Sequence, residues 1–333
     1  MHVFELTKEL VHIESITGNE VKVAHYVRDY LKGLKFETEF LPVEGERANL
    51  WAWRGAPNVV LSTHMDTVPP YLPVGEDDDN IYGRGSCDAK GILASQVAAA
   101  EKLLAEGMTN FGLLFLVGEE TTSEGAKKAN QAPRGSKYMV NGEPTDNRLA
   151  LGTKGALRLE LTTRGKMAHS AYPHLGESAI EKMLDVLVDF RAMDYPVHPV
   201  LGETTYTIGL ISGGRAANVV PDKAQAQILF RVVEESEAFR KKVLDRIGGR
   251  AEIELVTESP MLLMEKLNGF DTEVFPFCTD LPWLSAWGRP LLIGPGSIRL
   301  AHTDREAVPK KELLRAVDLY AEIVRCLNEN GAS

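Results

Sequence analysis

Two short apolar runs, residues 58–62 (NVVLS) and 111–117 (FGLLFLV), decide the fold of this 333-residue chain. Both are almost continuously hydrophobic, which is typical of strands that are covered on both faces in a largely parallel sheet. The alanine-rich segment over residues 92–105 lies between them and has the length and composition of a helix. Together the three segments predict a wound α/β layer structure.

The flanking segments extend this structure in both directions along the chain. Apolar residues recur at helical spacing over residues 19–34, and two further short runs at 138–140 and 290–293 predict additional strands. A terminal helix is predicted to open at Pro309, because proline suits the first turn of a helix. The C-terminal segment therefore returns to the domain in which the chain begins.

The middle of the chain has a different pattern. Strict alternation predicts strands and a 3.6-residue period predicts helices, in the order β-α-β-β-α-β, over residues 156–164, 176–190, 204–211, 223–233, 235–247 and 251–256. This order is that of the ferredoxin-like split arrangement. We therefore predict an α/β fold with a mainly parallel sheet (residues 1–154 and 263–333) and an inserted ferredoxin-like α+β domain (residues 155–262).

Composition excludes several classes of protein. The net charge of −10 has the wrong sign for a protein that binds a phosphate backbone, so we expect no nucleic-acid partner. The N-terminal segment has no signal-peptide core and no run of 18 apolar residues occurs, so we expect no membrane insertion. Three unevenly spaced cysteines cannot form a disulfide framework, which favours a reducing, cytoplasmic location.

Histidines and carboxylates follow each predicted strand, at the end where a parallel sheet gathers its functional groups. These residues are His64 and Asp66, Glu119 and Glu120, Glu143, and His302. Asp88 stands in the glycine-rich loop YGRGSCDAKG (residues 82–91), directly before the alanine-rich helix. Two imidazoles with three carboxylates are more than one tetrahedral zinc ion needs, but they suit two ions that share a ligand.

Spacing separates the roles of neighbouring candidates. Asp66 comes two residues after His64, so in an extended segment it points to the same side and can hold the second ring nitrogen of His64. Glu119 and Glu120 are adjacent and point to opposite sides, so one can bind metal while the other faces the substrate as a general base. Taken singly, a histidine after a strand is more often a packing or surface residue, and a Glu-Glu pair is usually a solvated turn.

The combined pattern is similar to that of a known enzyme family. The stretches that carry the resemblance extend over nearly the whole chain and are STHMDTVP, YGRGSCDAKG, VGEET, NGEPTD, RGKMAHSAYPH, GGRAANVVPDKA, GPGSI and AHTDRE. They resemble the di-zinc amidohydrolases and exopeptidases, a family that includes acetylornithine deacetylase, succinyl-diaminopimelate desuccinylase and the glutamate carboxypeptidases.

The resemblance implies a ligand set for two Zn²⁺ ions, for which Co²⁺ or Mn²⁺ can substitute. The implied ligands are His64 and Glu143 for one ion, Glu120 and His302 for the other, and Asp88 as the bridge between them. It also implies that Glu119 is the general base, that Asp66 supports His64, and that a cis peptide bond follows Asp88.

The same resemblance implies that the inserted domain dimerises the protein. In the resulting homodimer His169, in the GKMAHS stretch, is expected to reach the active site of the other subunit and to stabilise the oxyanion. Asn218 and Arg231 match positions that bind the substrate carboxylate or the transition state, a task that suits an arginine fork. Thr279 borders the substrate pocket in the family, and Lys154 is a further candidate contact for a substrate carboxylate.

Three functional hypotheses follow. The favoured one is hydrolysis of an N-acyl amino acid, as by acetylornithine deacetylase or succinyl-diaminopimelate desuccinylase in arginine or lysine biosynthesis, because NGEPTD and the following GTKG (residues 152–155) resemble that branch. The second is a dipeptidase or glutamate carboxypeptidase-type exopeptidase with the same metal site. The third, a non-catalytic metal-binding protein of the same fold, is disfavoured because competent side chains occupy every ligand position and Glu119.

Overall fold

The computed structural model describes residues 1–329. The helices are α1 (Val3–His12), α2 (Val21–Gly33), α3 (Lys90–Ala105), α4 (Glu124–Ala129), α5 (Ala179–Arg191), α6 (Ser236–Ile247) and α7 (Lys310–Glu329). The strands are β1 (Glu37–Glu44), β2 (Arg47–Arg54), β3 (Val59–His64), β4 (Gly75–Glu76), β5 (Asn80–Tyr82), β6 (Phe111–Leu116), β7 (Tyr138–Asn141), β8 (Leu149–Thr153), β9 (Gly155–Arg164), β10 (Val197–His198), β11 (Gly202–Glu203), β12 (Thr205–Gly213), β13 (Lys223–Val232), β14 (Glu252–Ser259), β15 (Leu262–Leu263), β16 (Thr272–Phe275), β17 (Arg289–Leu292) and β18 (Ala307–Pro309). Short 3₁₀ turns occur at Pro173–Leu175, Leu281–Trp283 and Ser285–Trp287.

The chain divides into two units, and the first contains the larger sheet. This unit comprises Met1–Leu151, Met264–Glu273 and the described chain from Thr279 onward. The six strands of the larger sheet are arranged in the order β1-β2-β6-β3-β7-β17. The four strands β6, β3, β7 and β17 are parallel to one another, whereas β1 and β2 form an antiparallel hairpin at one edge, with β2 antiparallel to β6. The predicted mainly parallel sheet is confirmed.

The core of the first unit explains why its strands are continuously apolar. Every residue of β3 and of β6 is buried, since helices cover the sheet. Helix α3 is buried around most of its circumference and packs against α1 and α7 as well as against β3. Because β3, β6, β7 and β17 run in the same direction, their carboxyl ends lie at one edge of the sheet.

The second unit has the predicted ferredoxin-like arrangement. It comprises Gly152–Leu263 with Val274–Cys278, and its chain order is β9-α5-β12-β13-α6-β14. The four strands form an antiparallel sheet in the order β12-β13-β9-β14. Apolar residues that alternate along β9 and β13 pack with the buried faces of α5 and α6 in one core. Strands β12 and β14 are the two edges of this sheet.

Smaller sheets complete the structure. They have the strand orders β15-β8-β16, β18-β5-β4 and β10-β11. Among residues 1–329, no helix combines the length and the apolar character that crossing a membrane requires.

Candidate metal centre

The carboxyl ends of three parallel strands supply candidate metal ligands. His64 is the last residue of β3. Glu120 follows the end of β6 by four residues, and Glu143 follows the end of β7 by two. Since the strands are parallel neighbours, these side chains emerge at the same edge of the sheet.

Asp88 lies between the two histidines. Its Oδ1 is 2.9 Å from His64 Nε2, and its Oδ2 is 3.3 Å from His302 Nε2. His302 Nε2 is also 2.9 Å from Glu120 Oε2. The potential ligand atoms fall into two groups, each within 4.8 Å: His64, Asp88 and Glu143, and Asp88, Glu120 and His302. Asp88 belongs to both groups, which is the arrangement of a carboxylate that bridges two ions.

The chemistry of this donor set fits a pair of divalent cations. Oε1 of Glu120 and Oε1 of Glu143 are buried and have no hydrogen-bond partner within the described chain. A buried carboxylate oxygen without a donor is costly unless a cation neutralises it. Imidazole nitrogen with carboxylate oxygen is a ligand combination that zinc and neighbouring transition metals accept. The cluster can therefore hold two metal ions.

Two uncommon backbone conformations occur at the candidate ligands. The Asp88–Ala89 peptide bond is cis, as the sequence resemblance implies. His302 has a φ of 62°, in the left-handed region that residues other than glycine seldom adopt. A left-handed conformation at a residue other than glycine is retained where the surrounding structure requires it, and it is frequent at functional sites.

Glu306 holds the glycine-rich loop that presents Asp88. Its Oε1 accepts backbone N–H bonds from Gly85 (2.9 Å), Cys87 (3.1 Å) and Asp88 (3.0 Å). Its Oε2 forms a 2.5 Å ion pair with Arg84 Nη1, and both side chains are buried. One carboxylate therefore makes four contacts within residues 84–88, so its loss should displace the bridging ligand.

Asp66 supports both the histidine and the two glutamates. His64 Nδ1 lies 2.9 Å from the main-chain oxygen of Asp66 and 3.5 Å from its carboxylate. That carboxylate instead accepts the backbone N–H of Glu119 and of Glu120, each at 3.2 Å, and the Thr17 hydroxyl at 2.8 Å. The orientation of His64 thus depends mainly on the Asp66 carbonyl, because three other donors occupy the carboxylate.

The electrostatics of the site reflect its excess of acidic groups. Burial opposes ionisation of Asp88, but hydrogen bonds from His302 and His64 outweigh it and lower the pKa of this carboxyl. Hydrogen bonds to Asp88 and Glu120 raise the pKa of His302 to about 10. Burial, reinforced by the Glu143 charge, raises the pKa of Glu119 well above its ordinary value. A carboxylate whose pKa is raised toward the operating pH accepts a proton more readily than an ordinary one, which suits a general base.

Three of the predicted substrate contacts are engaged in local hydrogen bonds. Lys154 Nζ donates to the Glu203 carbonyl at 2.5 Å, and Arg231 Nη1 lies 3.5 Å from Cys278 Sγ. The Thr279 hydroxyl accepts the backbone N–H of Leu281 at 3.2 Å. The roles of Lys154, Arg231 and Thr279 in substrate binding stay predictions.

His169 and Asn218 lie side by side in the second unit. The segments that carry them are joined by a bridge between His169 and Val219 and by a 3.0 Å bond from Ser170 N to the Asn218 carbonyl. Both side chains are exposed, and His169 Nδ1 accepts only the local Ala171 N–H within the described chain. They are therefore accessible to a ligand, as their predicted roles require.

Asp280 follows Thr279 in the Thr-Asp pair that the resemblance places at the border of the substrate pocket, but the sequence does not predict its burial. Its side chain is buried, and neither carboxylate oxygen lies within hydrogen-bond distance and angle of a donor in the described chain. Burial raises the pKa of Asp280 to about 7, while the nearby Ser123 hydroxyl opposes the shift. The neighbouring Thr279 was singled out from the same dipeptide, but nothing in the sequence distinguishes a buried aspartate from an exposed one in a loop.

The family of the chain follows from two comparisons. The family model for a peptidase dimerisation domain matches residues 151–255. A peptidase M20 domain-containing protein of Schizosaccharomyces pombe is 38% identical over 336 residues, which cover 97% of this chain and 84% of that protein. The chain belongs to the M20 peptidase family, a family of metal-dependent hydrolases, as the resemblance to di-zinc hydrolases implied.

Further relatives agree with this assignment. A probable carboxypeptidase of Aspergillus fumigatus is 36% identical over 381 residues, covering 98% of this chain and 87% of that protein. Among solved structures, a tripeptidase of Staphylococcus aureus superposes with a TM-score of 0.84 at 22% identity, with 98% of this chain and 97% of that chain covered. The structural similarity establishes a shared fold.

Proposed function

We propose that the protein hydrolyses the amide bond that joins an acyl or aminoacyl group to an amino acid with a free carboxylate. The observation that carries the proposal is the Asp88 carboxylate, shared between His64 on one side and His302 with Glu120 on the other. This geometry supports two neighbouring divalent ions, with His64 and Glu143 as ligands of one and Glu120 and His302 as ligands of the other. Bound there, such ions supply a water of lowered pKa and polarise a substrate carbonyl.

Glu119 is the proposed general base. Its backbone N–H is fixed by Asp66, in the same turn as Glu120, but its side chain belongs to neither ligand group. In the proposed reaction Glu119 removes a proton from the attacking water and then returns it to the nitrogen of the leaving amine. The water oxygen bonds to the carbonyl carbon, the bond from that carbon to nitrogen breaks, and the products are a carboxylic acid and an amine.

The exchange Glu119→Gln tests this role. Because the amide cannot accept the proton, we expect kcat to fall by about 10²–10⁴-fold while two metal ions per chain are retained. Glu46→Gln, the same substitution in the exposed turn between β1 and β2, is the matched control and should keep the wild-type rate. A Glu119→Gln protein with full metal content and most of its rate would show that another group is the base.

Two substrate classes fit this chemistry. The names of the relatives, M20 peptidase and probable carboxypeptidase, support a peptide substrate with a free C-terminus. The NGEPTD and GTKG stretches support the alternative, a deacetylase or desuccinylase that acts on N-acyl amino acids of arginine or lysine biosynthesis. A panel of dipeptides and N-acetyl or N-succinyl amino acids separates them by product, since only the peptides release two amino acids.

A homodimer is proposed for the active form. The match to the dimerisation-domain family model supports a homodimer. In the edge strand β12, the apolar side chains of Leu210 and Ile211 are exposed. Exposed apolar residues on a sheet edge favour association with another chain. In that dimer His169 is proposed to donate to the oxyanion at the other subunit's site, with Asn218 and Arg231 as substrate contacts.

We also propose the identity of the metal and the cellular location of the protein. Zinc is proposed because the ligand set combines imidazole with carboxylate, and Co²⁺ or Mn²⁺ should substitute at the same positions. Cys87, Cys278 and Cys326 are free thiols, which agrees with a reducing, cytoplasmic location.

A further inference from the structure

The turn that carries Glu119 and Glu120 contacts a carboxylate on each of two sides. On one side, Asp66 accepts the backbone N–H of both residues. On the other side, the Glu124 carboxylate covers Gly118, whose φ is +77°. A Cβ added at Gly118 would overlap that carboxylate, so the backbone here and Glu124 are in direct contact. The position of the turn therefore depends on where Glu124 is held.

Arg47 holds Glu124 in place. Its Nη1 lies 2.9 Å from Glu124 Oε1, while its Nε and Nη2 form a bidentate pair with Glu20 at 2.8 and 2.6 Å. The side chains of Glu20, Arg47 and Glu124 are 0%, 12% and 28% exposed. A planar guanidinium bonded in two directions has little freedom to move, and buried pairs are screened less by solvent than surface pairs.

Residues 17–20 connect Arg47 to Asp66, which lies on the other side of the turn that carries Glu119 and Glu120. Glu20 Oε1 also accepts the backbone N–H of Gly18 at 3.1 Å. One residue earlier, the Thr17 hydroxyl donates to Asp66 Oδ2 at 2.8 Å. The contacts thus close a ring in which residues 17–20 secure Asp66 at one end and Arg47 at the other. Every member of this ring belongs to the first unit.

Further bonds make the contact between Glu124 and the turn stiff. Ser123 N donates to the Gly118 carbonyl at 2.8 Å, and Gly125 N donates to the Val117 carbonyl at 3.1 Å. The Thr122 hydroxyl bonds to the Glu124 carboxylate. A displacement of Glu124 would therefore be transmitted to the backbone that precedes Glu119.

We propose that Glu20, Arg47 and Glu124 form a hydrogen-bonded clamp that positions the Gly118–Glu120 turn for catalysis and metal binding, through the bond of Glu124 to Arg47 and its cover over Gly118. The three are positioning residues, since they act through Glu119 and Glu120. The inference rests on the proposed function for the part that concerns Glu119, but its effect on metal binding through Glu120 is independent of any substrate. Residues that orient metal ligands from behind typically contribute 10–100-fold to metal affinity or activity.

The test uses Glu124→Ala, because Glu124 is the most exposed member of the clamp and its loss leaves the Glu20–Arg47 pair intact. We expect kcat to fall 10–100-fold with KM changed less than about threefold, because the turn and not substrate binding is disturbed. The zinc dissociation constant, measured by competition with a chromophoric chelator, should rise 10–100-fold. In the cobalt-substituted protein the visible absorption should change as the ligand geometry shifts.

Glu44→Gln is the matched control. Glu44 also lies 3.7 Å from Arg47, but it is 81% exposed and does not touch Gly118. This variant should match the wild type in rate, zinc affinity and cobalt spectrum. Glu124→Gln keeps the side chain over Gly118 and a bond to Arg47, so it should recover most of what Glu124→Ala loses.

The proposal is overturned if Glu124→Ala behaves like Glu44→Gln in zinc affinity and in the cobalt spectrum. It is also overturned if Glu124→Gln loses as much as Glu124→Ala, because the covering shape would then have no role. If the wild type hydrolyses no substrate on the panel, the proposed function fails, whereas the zinc affinity and the cobalt spectrum still decide whether the clamp exists.

Discussion

The buried ion pair between Arg84 and Glu306 offers a quantitative test of how the bridging aspartate is held. Both side chains are almost fully buried, with exposures of 3% and 0%, and the pair distance is 2.5 Å. Breaking a buried pair by removing one partner leaves an uncompensated charge and costs about 3–5 kcal/mol of folding free energy. We therefore expect Arg84→Met and Glu306→Gln each to destabilise the first unit by about that amount.

The double variant should lose less folding free energy than the sum of the losses in the two single variants. Removing both charges leaves no unpaired ion, and a glutamine carbonyl can still accept the N–H bonds of Gly85, Cys87 and Asp88. We expect the double variant to cost about 2 kcal/mol, so that the coupling between the two sites is at least about 4 kcal/mol. The single variants should also weaken zinc binding about 10–100-fold, because the loop presents Asp88.

Urea titration of the metal-free protein, followed by tryptophan fluorescence, measures these free energies. All four tryptophans, at positions 51, 53, 283 and 287, lie in the first unit, so the signal reports the unfolding of the part that contains the pair. Additive effects, with a coupling below about 0.5 kcal/mol, would refute the reasoning, as would single variants that cost under about 1 kcal/mol.

Three further results are expected. The pKa of about 7 for Asp280 lies above its ordinary value of 3.8, so the folded metal-free chain loses stability as pH rises from about 4 to 7. At pH 8, Asp280→Asn should therefore be more stable than wild type by up to about 4 kcal/mol. Equal stability of the two proteins in urea would contradict the raised pKa. Exchanging Leu210 and Ile211 together for glutamate should convert the proposed dimer into a monomer in light scattering, and an unchanged mass would show that β12 is not the interface. Chelation of both metal ions should lower the free energy of unfolding by about 4 kcal/mol per ion, or about 8 kcal/mol in all, relative to protein in a thousandfold excess of zinc over each Kd. A urea midpoint that does not change with chelator would show that no metal supports the fold.

Hydrophobic periodicity was sufficient to predict the longer helices and strands. The continuous apolar runs around Val60 and Leu114 lie in the buried parallel strands β3 and β6, and the alternating and helical segments of the middle form the β-α-β-β-α-β unit. Periodicity could not predict the two- and three-residue strands, such as β4 and β18, because so few residues define no period. Helix α4, with six residues, is too short for the same reason.

The rule that functional groups collect at the carboxyl ends of parallel strands predicted which side chains would converge. His64, Glu120 and Glu143 follow three adjacent strands, so the topology alone brings them near one another. The supporting groups were harder to anticipate. Glu306 is more than 200 residues from the loop it holds, and Arg47 meets Glu20 and Glu124 through three separate segments. Such contacts depend on tertiary packing, which leaves no local pattern in a single sequence.

Anomalous diffraction at the zinc absorption edge, from crystals of the zinc-loaded protein, tests the central claim most directly. Two zinc peaks per chain are expected, one bound by His64 and Glu143 and the other by Glu120 and His302, with one Asp88 oxygen on each ion. A single peak, or two peaks that do not share Asp88, would contradict the proposed metal centre and the hydrolytic function built on it.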